Sequence, residues 1–128
     1  MAGASDYLET ALLNHVLRNS AYTSPTTVYA ALYTAAPTDA GGGTEIAAAG
    51  YARVAVTFGA PAGGVCSNSG AITFGPITGG GGTAVAFGIF DDPTAGNLLV
   101  WDDLSVNRTW SAGDSLQFNI GDLSVAVD

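Results

Sequence analysis

Residues 27–34 read TVYAALYT. Val28, Ala30 and Leu32 alternate there with Tyr29, Ala31 and Tyr33, the two-residue period of a β-strand rather than the 3.6-residue period of a helix. β-branched and aromatic side chains favour that extended form. The pattern recurs outward along the chain. ARVAVTF (52–58) sets Val54, Val56 and Phe58 on one face, with Arg53, Ala55 and Thr57 on the other. AITF (71–74) brings Ile72 and Phe74, and TAVAFGIF (83–90) brings Val85, Phe87 and Ile89. NLLVWDDL (97–104), SLQFNI (115–120) and LSVAV (123–127, ending on Val127) complete the set. Short strands separated by Gly, Pro and Asp predict a mainly β protein, an antiparallel β-sandwich, jelly-roll-like, of about 7–8 strands. Strand–helix–strand spacing is missing, which excludes a parallel sheet.

Upstream lies one helix, SDYLETALLNHVLRNS (5–20). Asp6 followed by Glu9 makes a capping box, with Asp6 as the cap. Leu8, Leu12 and Val16, flanked by Leu13 and Leu17, form an apolar stripe at i, i+4 spacing. Arg18 suits the negative end of the helix dipole. Pro25 turns Ser24 extended and ends the segment. The stripe is expected to pack on the sandwich as a covering element. The 128 residues are thus expected to form a single domain, with helix and linker over 1–25 and the sandwich over 26–128.

Charge narrows the function classes. Charged residues make up 11% of the chain, under half the usual value of about 25%. A surface so poor in charge is covered by small polar residues or by other chains. Eleven acids stand against three bases, Arg18, Arg53 and Arg108, for a net charge of −8. Nucleic-acid binding needs clustered cations to displace phosphate counterions, so it is excluded, and anionic membranes are disfavoured for the same reason. Cys66 is the lone cysteine, which rules out an intrachain disulfide and paired-cysteine zinc sites. The N-terminal MAGASDYLET has no basic, apolar signal pattern, and no apolar run approaches the ~20 residues of a membrane span. Maturation in a host cytoplasm is expected.

Candidate chemistry fails stretch by stretch. TDAGGGTE (38–45) lacks the lysine of a phosphate-binding loop, and its two carboxylates fall short of a calcium loop. Its three glycines suit a turn with positive φ. The pairs Asp91-Asp92 and Asp102-Asp103 suit turns, because neighbours on a strand point to opposite faces; calcium near Asp91-Asp92 is the one metal reading left open. His15 has no nucleophile at a recognisable spacing, and Cys66 suits a small apolar filler. No cofactor and no catalysis are expected.

Several motifs in order carry a resemblance: YTSPTTVYAALYTAAPTDAGGGTEIAAAGYARVAV (22–56), GIFDDPTAGNLLVWDDL (88–104) and SAGDSLQFNIGDLSVAVD (111–128). They cover nearly the whole chain, most loosely over Gly59–Gly70. The sequence resembles a family of small tailed-bacteriophage virion proteins usually labelled "tail fiber protein". The resemblance implies a non-enzymatic structural component on the virion exterior, assembled in the host cytoplasm, with no catalytic residues.

Size then separates two expectations. A compact chain of this length spans only ~30–40 Å and lacks the repeats of an extended shaft. The main expectation is a head-decoration (cement) protein, homotrimeric, bound to the phage major capsid protein. The alternative is a tail-fibre, fibre-base or collar part among tail and fibre proteins, with glycan receptors stacked on Trp101 or Trp110 beside Tyr51. A secreted sugar-binding module is a third class, disfavoured by the missing signal pattern. The expected interface comprises Leu8, Leu12, His15 and Val16 of the helix and the glycine loop Asp39, Gly41, Gly42 and Gly43. Arg53 joins them as a bidentate anchor for an acidic partner, with Trp101 and Trp110 as aromatic anchors. Both glycine-rich loops, the second at TGGGGT (78–83), are expected to lie free or against a neighbour.

Overall fold

A computed structural model describes residues 3–126. The described elements run β1 (Gly3–Ala4), α1 (Asp6–Leu17), β2 (Val28–Ala35), β3 (Thr44–Glu45), β4 (Val54–Val56), β5 (Val65–Ser67), β6 (Ile72–Ile77), β7 (Gly82–Phe90), β8 (Leu98–Trp110), β9 (Asp114–Phe118) and β10 (Ser124–Ala126). The strands expected from the two-residue period form, but Ile120, expected to share a face with Leu116 and Phe118, falls beyond the end of its strand and is exposed, and Val127 lies outside the described residues. The very short β1, β3 and β5 carry too few residues to show any period.

The main sheet runs β1-β8-β7-β2-β3, with β4 also paired to β2. Every pairing is antiparallel. Two separate ribbons, β6 with β9 and β5 with β10, complete the strands. The expected jelly roll is not what forms. Such a fold divides eight strands between two sheets by paired Greek keys. Here the 13-residue β8 and the 9-residue β7 are committed to one long ribbon, and the second layer is left with two-stranded pieces. Among the described residues no strand closes the sheet into a barrel.

The larger core lies between the main sheet and this second layer. Leu32 and Phe87 from the sheet meet Phe74, Phe118 and Leu123, all 2% exposed or less. Phe74 stacks parallel to Tyr51 at 6.0 Å and takes Phe118 edge-on at 5.9 Å. A second cluster occupies the opposite face of the same sheet, where Tyr33, Phe90, Leu98 and Trp101 pack with Ala31 and Ala86. Alternation along β2 therefore buries both of its faces, one residue set in each cluster. A bulge breaks the alternation in β7. Ala84 faces Arg108 and Ala86 faces Asp103, so Leu104 to Asn107 stand opposite Val85 alone. Val85 is turned to the second cluster, away from Phe87 and Ile89 with which the sequence grouped it.

The helix departs from expectation in two ways. Its cap is Ser5, not Asp6: the Ser5 hydroxyl accepts from Leu8 N at 3.2 Å and donates to the Leu98 carbonyl of β8. None of its residues is buried. Contact falls away along the axis, from half-buried Leu8 and Leu12 to exposed Leu13, Val16 and Leu17. The cause is anchorage at one end. Gly3 and Ala4 pair with Trp101 and Val100 of β8, whereas the coil after Arg18 holds the other end by short local bonds to Asn14 and Ser20.

One buried polar residue organises the second layer. Asn68 is 1% exposed; its amide donates to the carbonyls of Gly70 (2.9 Å) and Asn119 (3.0 Å), and its oxygen accepts from Leu123 N at 2.9 Å. It thereby fixes the turn that leads into β10. Asn68→Ala leaves a buried N–H and two carbonyls without these partners, each worth about 1–3 kcal/mol when unsatisfied. The expected result is a loss of about 2–4 kcal/mol in urea unfolding; a change under about 0.5 kcal/mol would show that water replaces the side chain.

Candidate interaction surfaces

The glycine loop after β2 folds back on its own sheet. Thr38 and Gly41 exchange backbone hydrogen bonds of 2.9 Å each way, closing a tight hairpin. Asp39 at its tip accepts from Trp101 Nε1 at 3.0 Å, and its carbonyl accepts from Asp6 N at 2.8 Å. The loop is thus a strap tying β8 to the start of α1 across the second cluster, not a segment lying free. Gly43 is required where the strap leaves: at φ 73°, a Cβ would sit 2.7 Å from the Ala35 carbonyl oxygen. Gly41 and Gly42 also hold positive φ, but with open space around them. The second glycine loop is closed as well. Trp110 Nε1 donates to the Gly80 carbonyl at 2.7 Å, and a Cβ on Gly82 would meet the Trp110 ring at 2.7 Å.

Arg53 makes its bidentate pair within the chain. Its Nε and one terminal nitrogen donate to Glu45 at 3.0 and 2.9 Å, while the other terminal nitrogen donates to the carbonyls of Asp92 (3.0 Å) and Ala95 (2.8 Å). Its Cζ lies 3.6 Å from the centroid of the Phe90 ring. Glu45 also accepts from the Tyr51 hydroxyl at 2.6 Å, and that hydroxyl in turn accepts from Leu32 N at 3.0 Å. Burial, then the bond to Glu45, pushes the Tyr51 hydroxyl well above its ordinary pKa. Burial first, and the Glu45 charge second, push Tyr33 up to about 12.

The turn between β7 and β8 uses its acids internally. Asp92 accepts from the backbone of Thr94 and Ala95, which holds its carboxyl below the usual carboxylate range, and Asp91 accepts from Asn97. No cluster of three or more potential metal ligands occurs among the described residues.

These contacts sort the expected interface residues. Asp39, Gly41, Gly42, Gly43 and Arg53 come together around one open cleft of about 560 Å³, which Glu45, Tyr7 and Tyr33 also line. Trp101 lies beneath the strap. Trp110 belongs to the other core cluster, and the two indoles are 5% and 4% exposed. Neither ring offers a free face for a sugar, and Tyr51 is packed against the larger core. Leu8 lines a different hollow, while Leu12, His15 and Val16 remain on the helix.

That second hollow is an apolar groove of about 350 Å³ between α1, β5, β8 and β10, lined by Leu8, Phe58, Cys66, Leu99, Val100 and Val125 among others. No charged side chain lines it. The sequence holds a signal for this surface that its motifs do not: from Val54 to Phe90 there is no charged residue at all, and this stretch builds β4 to β7.

Residues 3–126 match the family described as podophage GP4 fiber I protein gp80. The chain belongs to that family. No curated protein matches it. It is therefore a tail-fibre component of a phage virion, structural and non-enzymatic. The head-decoration role expected from size and composition is not supported, because the family is one of fibre proteins. Size did not separate head from tail, and the fibre alternative is the one that stands.

The Glu45–Tyr51–Arg53 cluster makes the fold sensitive to alkali. Tyr33 and Tyr51 hold their protons more tightly folded than unfolded, so the stability they add is present below about pH 10 and is lost as pH rises toward the folded values. Phenolate absorbance should show two tyrosines silent until the chain unfolds; all five titrating together near pH 10 in the folded protein would contradict this. Tyr51→Phe removes a partner from both Leu32 N and Glu45 and should cost about 1–3 kcal/mol in urea unfolding.

Proposed function

We propose that the chain is an assembly module at the base of the fibre, joining fibre and tail proteins, rather than the part that meets the host receptor. The observation that carries it is the uncharged stretch Val54–Phe90 in a chain of net charge −8. An acidic chain with a long stretch free of charge is suited to contact with other chains, since interface cores are depleted of charge. Burial of both tryptophans supports the same reading, because it removes the ring faces that a sugar would stack on. The absence of a repeat supports it too, because an extended shaft is built from repeats and this chain suits a joint better.

Quantitative mass spectrometry of purified virions, scaled to the major capsid protein, tests the assignment together with gold labelling of the fibre. The expected result is a few to a few dozen copies, labelled where the fibre leaves the tail. Hundreds of copies per particle, or label at the distal tip alone, would overturn it.

A further inference from the structure

The cleft beside Arg53 holds more acid than the fold uses. Asp6, Asp39 and Glu45 all line it. Among the described residues that line it, Arg53 is the one base, and Glu45 takes its charge through bonds of 3.0 and 2.9 Å. Asp6 and Asp39 remain. The backbone puts them side by side, because Asp6 N donates to the Asp39 carbonyl at 2.8 Å. Neither carboxylate pairs with a cation among the described residues. Asp39 accepts from the Trp101 indole through Oδ1 alone, which leaves Oδ2 without a bond to any described residue.

Acids alone do not make a site, since carboxylates are at ease in water and Asp6 also suits the positive end of α1. Tyr33 supplies the second feature. It is 4% exposed, yet its hydroxyl makes no hydrogen bond to a described residue. Every fully buried polar side-chain atom among the described residues has a partner, so the Tyr33 hydroxyl reaches open space, and the space that Tyr33 lines is this cleft. Nearby Tyr51 shows the usual arrangement, its hydroxyl bonded to Glu45 on one side and Leu32 N on the other. An enclosed phenol with both its donor and its acceptor left over is a group aimed at a ligand.

Charge and geometry select that ligand. With Arg53 and Glu45 neutralising each other, the two remaining carboxylates attract a cation and repel an anion. Asp39 and Tyr33 each offer one oxygen, not the two-oxygen edge that a guanidinium fork takes. The three rotatable donors of an ammonium suit such single acceptors better. The 128 residues contain no lysine, so the ammonium comes from another protein. We propose that the cleft receives a lysine side chain of a neighbouring fibre or tail protein, its ammonium held by Asp6 and Asp39 and donating to the Tyr33 hydroxyl. The proposal rests on the reading of the chain as an assembly module of the fibre and names the chemistry of its partner.

Carbodiimide cross-linking of purified virions tests it, because the reagent condenses a carboxylate and a touching amine into an amide, and these residues bring no lysine of their own. Peptide masses should join Asp6 or Asp39 to a lysine of another virion protein. Asp39→Asn keeps the oxygen that Trp101 donates to and should lower the yield of the Asp6 link about tenfold. Tyr33→Phe removes a hydroxyl that the fold does not bond, so it should lower the yield about threefold and leave the urea midpoint unchanged. Links only from acids outside the cleft such as Asp103 or Asp122, links only to the N-terminal amine of a second copy, yields unmoved by both variants, or no link at all would each overturn the proposal. In the isolated chain, butylammonium chloride should shift the amide resonances of Asp6, Tyr7 and loop 39–43 more than equimolar sodium chloride does. Equal shifts from the two salts, or a response there to a monosaccharide and not to butylammonium, would overturn it as well. Links from elsewhere on the chain to fibre proteins, at a few copies per virion, would refute this cleft and leave the assembly role standing. A virion copy number in the hundreds would remove the assembly role whatever the isolated chain does with butylammonium.

Discussion

The architecture depends on one constraint: the central strand β2 is buried on both faces. Ala30, Ala31 and Leu32 are wholly buried and Tyr33 nearly so. A strand in that position needs cover on each side, and the chain supplies two unlike covers. On one side are the ribbons β6–β9 and β5–β10, whose Phe74, Phe118 and Leu123 fill the larger core. On the other side there is no second sheet among the described residues. The start of α1 and the Thr38–Gly41 strap close over Tyr33 and Trp101, held by the bond between Asp39 and the Trp101 indole. A hydrogen bond to a carboxylate is worth about 1.5–3 kcal/mol, large enough for one pair to keep a short strap in place.

The same asymmetry explains the position of Arg53. It stands where β4, the strand β3 that carries Glu45, and the turn after β7 converge, and its planar fork bonds to all of these partners while its flat face rests on Phe90. A lysine has no such fork and cannot hold Glu45 bidentately. In a chain with three bases, one is thus committed to the closure of the sheet and a second, Arg108, lies over Phe118 beside Asp122. Arg18 on α1 bonds through its guanidinium to Asn14 of its own helix.

Sparse charge and abundant glycine fit the proposed assembly role. At Gly43, Gly79 and Gly82 a side chain would strike backbone or the Trp110 ring, so these glycines permit the loops to close tightly on the sheet. The long uncharged stretch leaves the surface around β5 and the apolar groove free of the repulsion that a net charge of −8 imposes elsewhere. Both properties suit a chain that works by packing against other chains.

Much of the fold was legible in the sequence because strand burial repeats every two residues. Val28–Ala35, Ile72–Ile77, Gly82–Phe90 and Asp114–Phe118 were readable from their alternation, and the helix from its stripe. Local pattern also identified the turn at Asp91-Asp92. Tertiary structure decided the rest. The bulge opposite Val85 comes from the pairing of β7 with β8, which no single strand encodes. Ser5 displaces Asp6 as the cap because the Leu98 carbonyl, 93 positions away, is there to receive its hydroxyl. The stripe on α1 gave the amphipathic pattern of a packed helix, yet the chain ties down only its start, where Gly3 and Ala4 pair with β8, and its last turns stand exposed. The candidate surface was half legible: its helix residues were named from spacing, whereas the groove draws on residues from Leu8 to Val125. Amino-acid order determines which residues are apolar and at what period. Which of them find a partner inside the chain, and which are left for another, is settled only when distant strands meet.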